Sequence, residues 1–113
     1  MNLTEMREKH VQALAKGLDA LVSQLRDIPE VKRIILFGSY AQGRRDLFTD
    51  LDVLVIMDSP LDFISRNVEL ARKIHVDVAL DLLVYTSQEF EKLRNRPFFR
   101  HIINTGKVLY EKK

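Results

Sequence analysis

The sequence predicts a mixed α+β fold with elements in the order α-β-β-α-β-α-α-β. Apolar residues recur at helical spacing through the first 28 residues. Two runs rich in β-branched residues, VKRIILF and LDVLVIM, are too short for helices and end in turn signals. Beyond residue 58, capped amphipathic segments alternate with short apolar runs.

Leu3, Met6, Val11, Leu14, Leu18, Leu21, Val22, Leu25 and Ile28 form the stripe of one long helix. Asn2 with Glu5 opens it as a capping box, and Pro29 stops it. Gly17 inside that helix costs about 1 kcal/mol against Ala, so a close packing contact is expected there. Val31 to Phe37 reads as a strand feeding a Gly38-Ser39 turn, and Leu51 to Met57 as a second strand. Ser59, with Pro60 following and Asp62 in the first turn, is expected to cap a helix that buries Phe63, Ile64, Val68, Ala71 and Ile74. A third strand spans about Val78 to Tyr85. Thr86 and Glu89 form a second capping box for a helix through Leu93, Pro97 opens a last helix from Phe98 to Asn104 closed by Gly106, and KVLY is a short final strand.

Composition narrows the function classes. Apolar residues are 46% and charged residues 30% of the 113-residue chain, which fits one globular domain over residues 1–113 rather than a disordered tail. No apolar run approaches the roughly 20 residues of a spanning helix. The charged start MNLTEMREKHVQ has no signal-peptide pattern. With no cysteine there are no disulfides, thiolate chemistry or cysteine metal sites, and the cytoplasm is the expected compartment. Charge is uneven. Residues 1–91 carry 11 basic against 15 acidic residues, and residues 92–113 carry 7 against 1. An acidic working end and a basic C-terminal surface follow, the latter open to a nucleotide, a nucleic acid, an acidic partner or solvent alone.

The stretch from Gly38 to Asp52 carries the chemistry. A strand ends in Gly38-Ser39, a small-residue segment follows with Gly43, and Asp50-Leu51-Asp52 stands at the mouth of an apolar strand. Residues i and i+2 of a strand share a face about 6.6 Å apart, so Asp50 and Asp52 point the same way. Two carboxylates side by side repel. A divalent cation with oxygen ligands, Mg²⁺ or Mn²⁺, removes the repulsion. A cap or turn role is common for one such aspartate and less so for two. Gly38 permits a turn where a Cβ would clash, and the Ser39 hydroxyl with nearby backbone N–H groups suits phosphate oxygens. Neither a P-loop nor a dinucleotide fingerprint is present.

Gly38-Ser39, ten intervening residues and Asp-x-Asp in a strand–turn–strand frame resemble the signature of the polymerase β-type nucleotidyltransferase superfamily. Within it the chain resembles the minimal nucleotidyltransferase (MNT) family, whose members often pair with a HEPN-domain protein. The resemblance runs over essentially the whole chain, including the leading helix, Leu80–Tyr85 and the closing KVLYE. It implies a polymerase β-like fold: a short mixed sheet with helices packed on one face and the catalytic carboxylates at one edge of the other. It also implies a third carboxylate on the neighbouring strand, for which Asp81 is the choice and Asp77 the competitor. Thr49 stands where Ser commonly precedes the Asp-x-Asp, and Gln42 where a basic residue is frequent before the second glycine. Arg44 and Arg45 could supply that charge to a triphosphate, or be solvated loop residues.

The implied activity is transfer of a nucleotidyl group, AMP from ATP, to a hydroxyl. Two Mg²⁺ ions would sit on Asp50, Asp52 and Asp81, and the nucleotide on Gly38, Ser39, Gly43, Arg44 and Arg45. The implied acceptor is a tyrosine of a HEPN partner toxin, which makes the chain an antitoxin. Its rivals are a non-catalytic module that masks the partner, and transfer to RNA or a small molecule. A homo-oligomer stays open. His10, His75 and His101 have no metal-ligand spacing and read as surface or core residues, and Phe98-Phe99 as core or interface rather than a base-stacking platform.

Overall fold

The computed structural model describes all 113 residues, as five helices and one four-stranded sheet. The helices are α1 (Leu3–Arg26), α2 (Gly38–Ala41), α3 (Phe63–Lys73), α4 (Ser87–Leu93) and α5 (Pro97–Thr105), and the strands β1 (Val31–Phe37), β2 (Leu51–Met57), β3 (Leu80–Tyr85) and β4 (Lys107–Glu111). The sheet order is β3-β2-β1-β4. β1 runs antiparallel to both β2 and β4, while β2 and β3 are parallel.

The mixed α+β class stands, with two corrections to the expected architecture. The order gains α2, a single turn at Gly38–Ala41 where the sequence offers only a Gly-Ser turn, because four residues are too few to show a period. Helices also cover both sheet faces rather than one. Val31, Ile34, Leu36, Leu51, Val53, Val55 and Val84 pack under α1 and α3, whereas Ile35, Leu54 and Ile56 pack under Phe90 of α4 and Phe99 and Ile102 of α5. The physical reason is in the strands. The two central ones are apolar at nearly every position, so both faces must be removed from water.

Helix termini follow their caps. The Asn2 side chain accepts the Glu5 N–H, and Thr86 with Glu89 makes the complete capping box. At Gly17 the expected close contact is present: a Cβ there would lie 2.7 Å from Val78 Cγ2. α3 departs from expectation. Its N-cap is Asp62, which accepts the Ser65 N–H, while Ser59 makes a local turn by accepting the Leu61 N–H. Leu70 and Arg66 lie inward, and Phe63, Ile64 and Val68 are exposed.

The inward polar residues of α3 secure the outer edge of β3. Asn67 Oδ1 accepts the Val84 N–H at 2.9 Å, and Arg66 Nη1 donates to the Val84 carbonyl at 2.9 Å. Arg66 also forms a two-pronged pair with Glu89 (2.7 and 3.1 Å), whose carboxyl it holds below the usual range. An edge strand is thereby closed to foreign strands by side chains of the same chain. Asn67→Leu orphans the buried Val84 N–H. The expected loss is about 1–3 kcal/mol, read as a lower urea midpoint with unchanged slope.

Candidate active site

Strand register assembles the acidic cluster. Asp52 on β2 stands directly beside Asp81 on β3, and opposite Phe37 on β1. All three share the sheet face that α4 and α5 cover further along. Asp50 lies two residues before Asp52, at the strand mouth. Carboxylate oxygens of Asp50, Asp52 and Asp81 lie within 4.8 Å of one another. None of the three is in an ion pair with a basic side chain. Asp77, the competing third carboxylate, sits in the exposed bend before β3, outside this cluster.

The cluster is electrostatically frustrated without a cation. Burial, reinforced by the neighbouring Asp50 and Asp81 carboxylates, pushes the Asp52 carboxyl up to about 6. Three converging anionic oxygens with no protein counter-charge match the donor set that hard divalent cations require. The chain's residues therefore fit a Mg²⁺ or Mn²⁺ site.

A consequence follows for pH. In the metal-free protein the folded chain holds a proton on Asp52 that the unfolded chain releases near pH 3.9. That contribution is fully present below about pH 4 and is lost as pH rises to about 6. Thermal melts in EDTA should therefore show stability falling across that window. Asp52→Asn should flatten the fall and raise the melting temperature at pH 7.5. Saturating Mg²⁺ should restore the wild type at pH 7.5 and act weakly below pH 6, where protons compete.

The turn before the cluster is shaped around Asp52. Gly38 has φ +76°, and a Cβ on it would fall on Asp52 Oδ2, within 2.9 Å of Asp52 Cγ. Here the glycine is required twice, by its dihedral and by the carboxylate behind it. The Gly38 and Ser39 carbonyls are turned inward, accepting from the Gln42 and Arg44 N–H groups. Gly43 also needs its positive φ of 97°, but nothing lies within 4 Å of a Cβ there.

Arg44 and Arg45 are committed elsewhere. Arg44 Nε donates to Asp46 at 2.7 Å, and Arg45 donates to the Tyr40 carbonyl with its guanidinium 3.5 Å from the Tyr40 ring centroid. Contact with a triphosphate requires each to leave those partners.

His10 is a residue that motif reading passed over. Its Nε2 donates to the carbonyl of Thr49 at 2.7 Å, tying α1 to the peptide that enters Asp50. Thr49 is itself buried, and its hydroxyl accepts the Asp46 N–H. The signal was available: residues 6, 10 and 14 are one helical stripe, and a histidine between Met6 and Leu14 needs a polar partner. His75 and His101 are exposed. Phe99 is core, as expected, while Phe98 is half exposed and packs edge-on against Phe37, with centroids 5.9 Å apart.

Comparison with known proteins accords with this geometry. Residues 19–113 match the family described as polymerase beta, nucleotidyltransferase. A Methanocaldococcus jannaschii protein, provisionally named a protein adenylyltransferase, is 33% identical over 101 residues, covering 88% of this chain and 96% of the relative. The protein adenylyltransferase MntA of Shewanella oneidensis is 44% identical over 55 residues, covering 48% of this chain and 39% of MntA. A crystal structure described as a toxin–antitoxin with AMP-PNP superimposes with TM-score 0.54 at 30% identity, over 84% of this chain and 73% of that one.

Proposed function

This chain belongs to the polymerase β nucleotidyltransferase family, and from that premise we propose that it transfers AMP from ATP to a tyrosine hydroxyl of a HEPN-domain toxin. It acts as a cytoplasmic antitoxin and works as a single nucleotidyltransferase domain. The observation that carries the reading is the convergence of Asp50, Asp52 and Asp81 beside a glycine turn moulded to Asp52. The relatives' adenylyltransferase names and the toxin–antitoxin likeness support the choice of nucleotide and partner.

Asp50, Asp52 and Asp81 would hold two divalent ions. Bound there, Mg²⁺ or Mn²⁺ supplies Lewis-acid charge neutralisation at the reacting phosphate and eases ionisation of the acceptor hydroxyl. The Gly38-Ser39 turn and Gly43 seat the triphosphate, joined by Arg44 and Arg45 once they leave Asp46 and Tyr40. In-line attack by the acceptor oxygen on the α-phosphate forms the new P–O bond and expels pyrophosphate. Asp81, the exposed member of the cluster, is positioned to help take up the hydroxyl proton. His10 holds the Thr49 peptide, so Asp50 enters the site in a fixed place.

The test is label transfer from α-labelled ATP to a HEPN-domain protein encoded beside this chain. Mg²⁺-dependent labelling, lost when its acceptor tyrosine becomes Phe, is the expected result. Protection of cells by the Asp50→Asn, Asp52→Asn variant would instead assign neutralisation to masking.

A further inference from the structure

On the sheet face that carries the acidic cluster, one aromatic ring stands at the border between apolar core and carboxylates. Down that face β1 presents Arg33, Ile35 and Phe37, and β2 presents Ile56, Leu54 and Asp52 in register with them. Phe37 is therefore the last apolar position before the site, directly across from Asp52. Phe98 of α5 packs on Phe37, with ring centroids 5.9 Å apart at 89°. Cross-strand neighbours have Cβ atoms about 5 Å apart. The Phe98 ring thus lies one side chain beyond the neighbour of a cluster carboxylate, a gap within the reach of a ribose.

The core does not need this ring. Phe90, Phe99 and Ile102 already fill the space over Ile35, Leu54 and Ile56. Phe99 is 6% exposed, whereas Phe98 beside it stays 49% exposed. Its orientation is fixed nonetheless, because a second edge-on contact holds it against Phe99, with centroids 5.3 Å apart at 83°. A single exposed apolar side chain is ordinary. A ring clamped by two others, half open to water and next to an acidic site, is a preorganised planar surface. Phe48, two residues before Asp50, is 83% exposed but packs on no other ring.

We propose that Phe98 seats the nucleobase, the purine of bound ATP stacking on its open surface while the triphosphate runs to the Gly38-Ser39 turn. Every base has a π-face, and stacking one on an aromatic side chain changes affinity by about fivefold to a hundredfold. The contact reads ring area rather than a hydrogen-bond pattern, so it holds ATP and GTP alike and pyrimidine nucleotides less. With the base held at one end and the triphosphate at the other, the α-phosphate is confined near Asp50, Asp52 and Asp81. This inference rests on the proposed use of ATP and adds the residue that holds its base.

The test measures binding of ATP, GTP and inorganic tripolyphosphate to the chain in Mg²⁺, with no acceptor protein present. Tripolyphosphate has the phosphate tail and no base. Phe98→Leu keeps an apolar side chain over Phe37 and removes the aromatic face. The expected result is an affinity for ATP and for GTP lower by about fivefold or more, with affinity for tripolyphosphate unchanged. Phe98→Trp should bind ATP at least as tightly as the wild type. Its fluorescence should change on addition of ATP and not of tripolyphosphate. Phe48→Ala should bind ATP as the wild type does. Unchanged ATP affinity in Phe98→Leu overturns the proposal. So does an equal loss of ATP and tripolyphosphate, which would mark a disturbed site, or a loss confined to Phe48→Ala, which would give the base to that loop. A wild type that binds ATP with no dependence on Phe98 would leave the proposed transfer standing, whereas one that binds no ATP would sink both.

Discussion

Asp50→Asn combined with Asp52→Asn is expected to remove AMP transfer while leaving a folded and more stable metal-free protein. Each substitution keeps size and removes one negative charge. The cluster then loses the buried charge and the mutual repulsion that, burial first, push the Asp52 carboxyl up to about 6. Folding gains because nothing in the chain neutralises these carboxylates. Catalysis loses because amide oxygens bind hard divalent cations far less strongly. Losing several kcal/mol of charge stabilisation at the phosphate corresponds to at least about a thousandfold in rate. Opposite movements in melting temperature and turnover, in one variant, distinguish a functional cluster from a structural one. A variant that lost stability along with activity would speak for a structural role.

The second large effect is expected from Gly38→Ala. The added methyl group collides with the Asp52 carboxylate, and the φ of +76° resists any L side chain. Left-handed backbone costs about 1–2 kcal/mol, and displacement of Asp52 by an ångström costs on the order of a hundredfold in rate. Gly43→Ala is the matched control, since it imposes similar backbone strain with nothing near its Cβ. Gly38→Ala should lose far more turnover than Gly43→Ala at comparable stability. Equal losses would mean that strain alone matters and that the close approach to Asp52 does not.

Much of this was legible in the sequence because local physics decided it. β1 and β2 carry their own boundaries in Gly38 and Asp50 at their ends, and the Thr86–Glu89 box fixes the start of α4. α1 is announced by its stripe, and even the tight contact at Gly17 is visible as an unfavourable residue in a helix.

What was hidden depends on distant partners. Arg66 lies inward because Glu89, 23 residues on, waits for it, so the buried face of α3 does not follow hydrophobicity. Ser59 and Asp62 are both competent caps by residue type, and the helix starts at Asp62 while Ser59 accepts the Leu61 N–H in a local turn. The second covered sheet face was readable in the apolar run from Val53 to Met57 of β2, whereas the one-sided architecture came with the family resemblance.

At the site, the Asp50-Leu51-Asp52 pattern flagged both carboxylates, and Asp50 joins the cluster from the residue just before β2 rather than from within the strand. The partnership of Asp81 with Asp52 depends on β2–β3 register, which spacing does not encode and the family resemblance supplied. The His10–Thr49 bond spans 39 residues and shows in the sequence only as a polar residue on an apolar stripe.

The most direct measurement is a crystal structure of the chain with Mn²⁺ and a non-hydrolysable ATP analogue, with the metal located by its anomalous signal. The expected result is manganese bounded by carboxylate oxygens of Asp50, Asp52 and Asp81, with the triphosphate lying against Gly38 and Ser39. Manganese bound away from these three side chains, or nucleotide seated remote from Gly38, would contradict it.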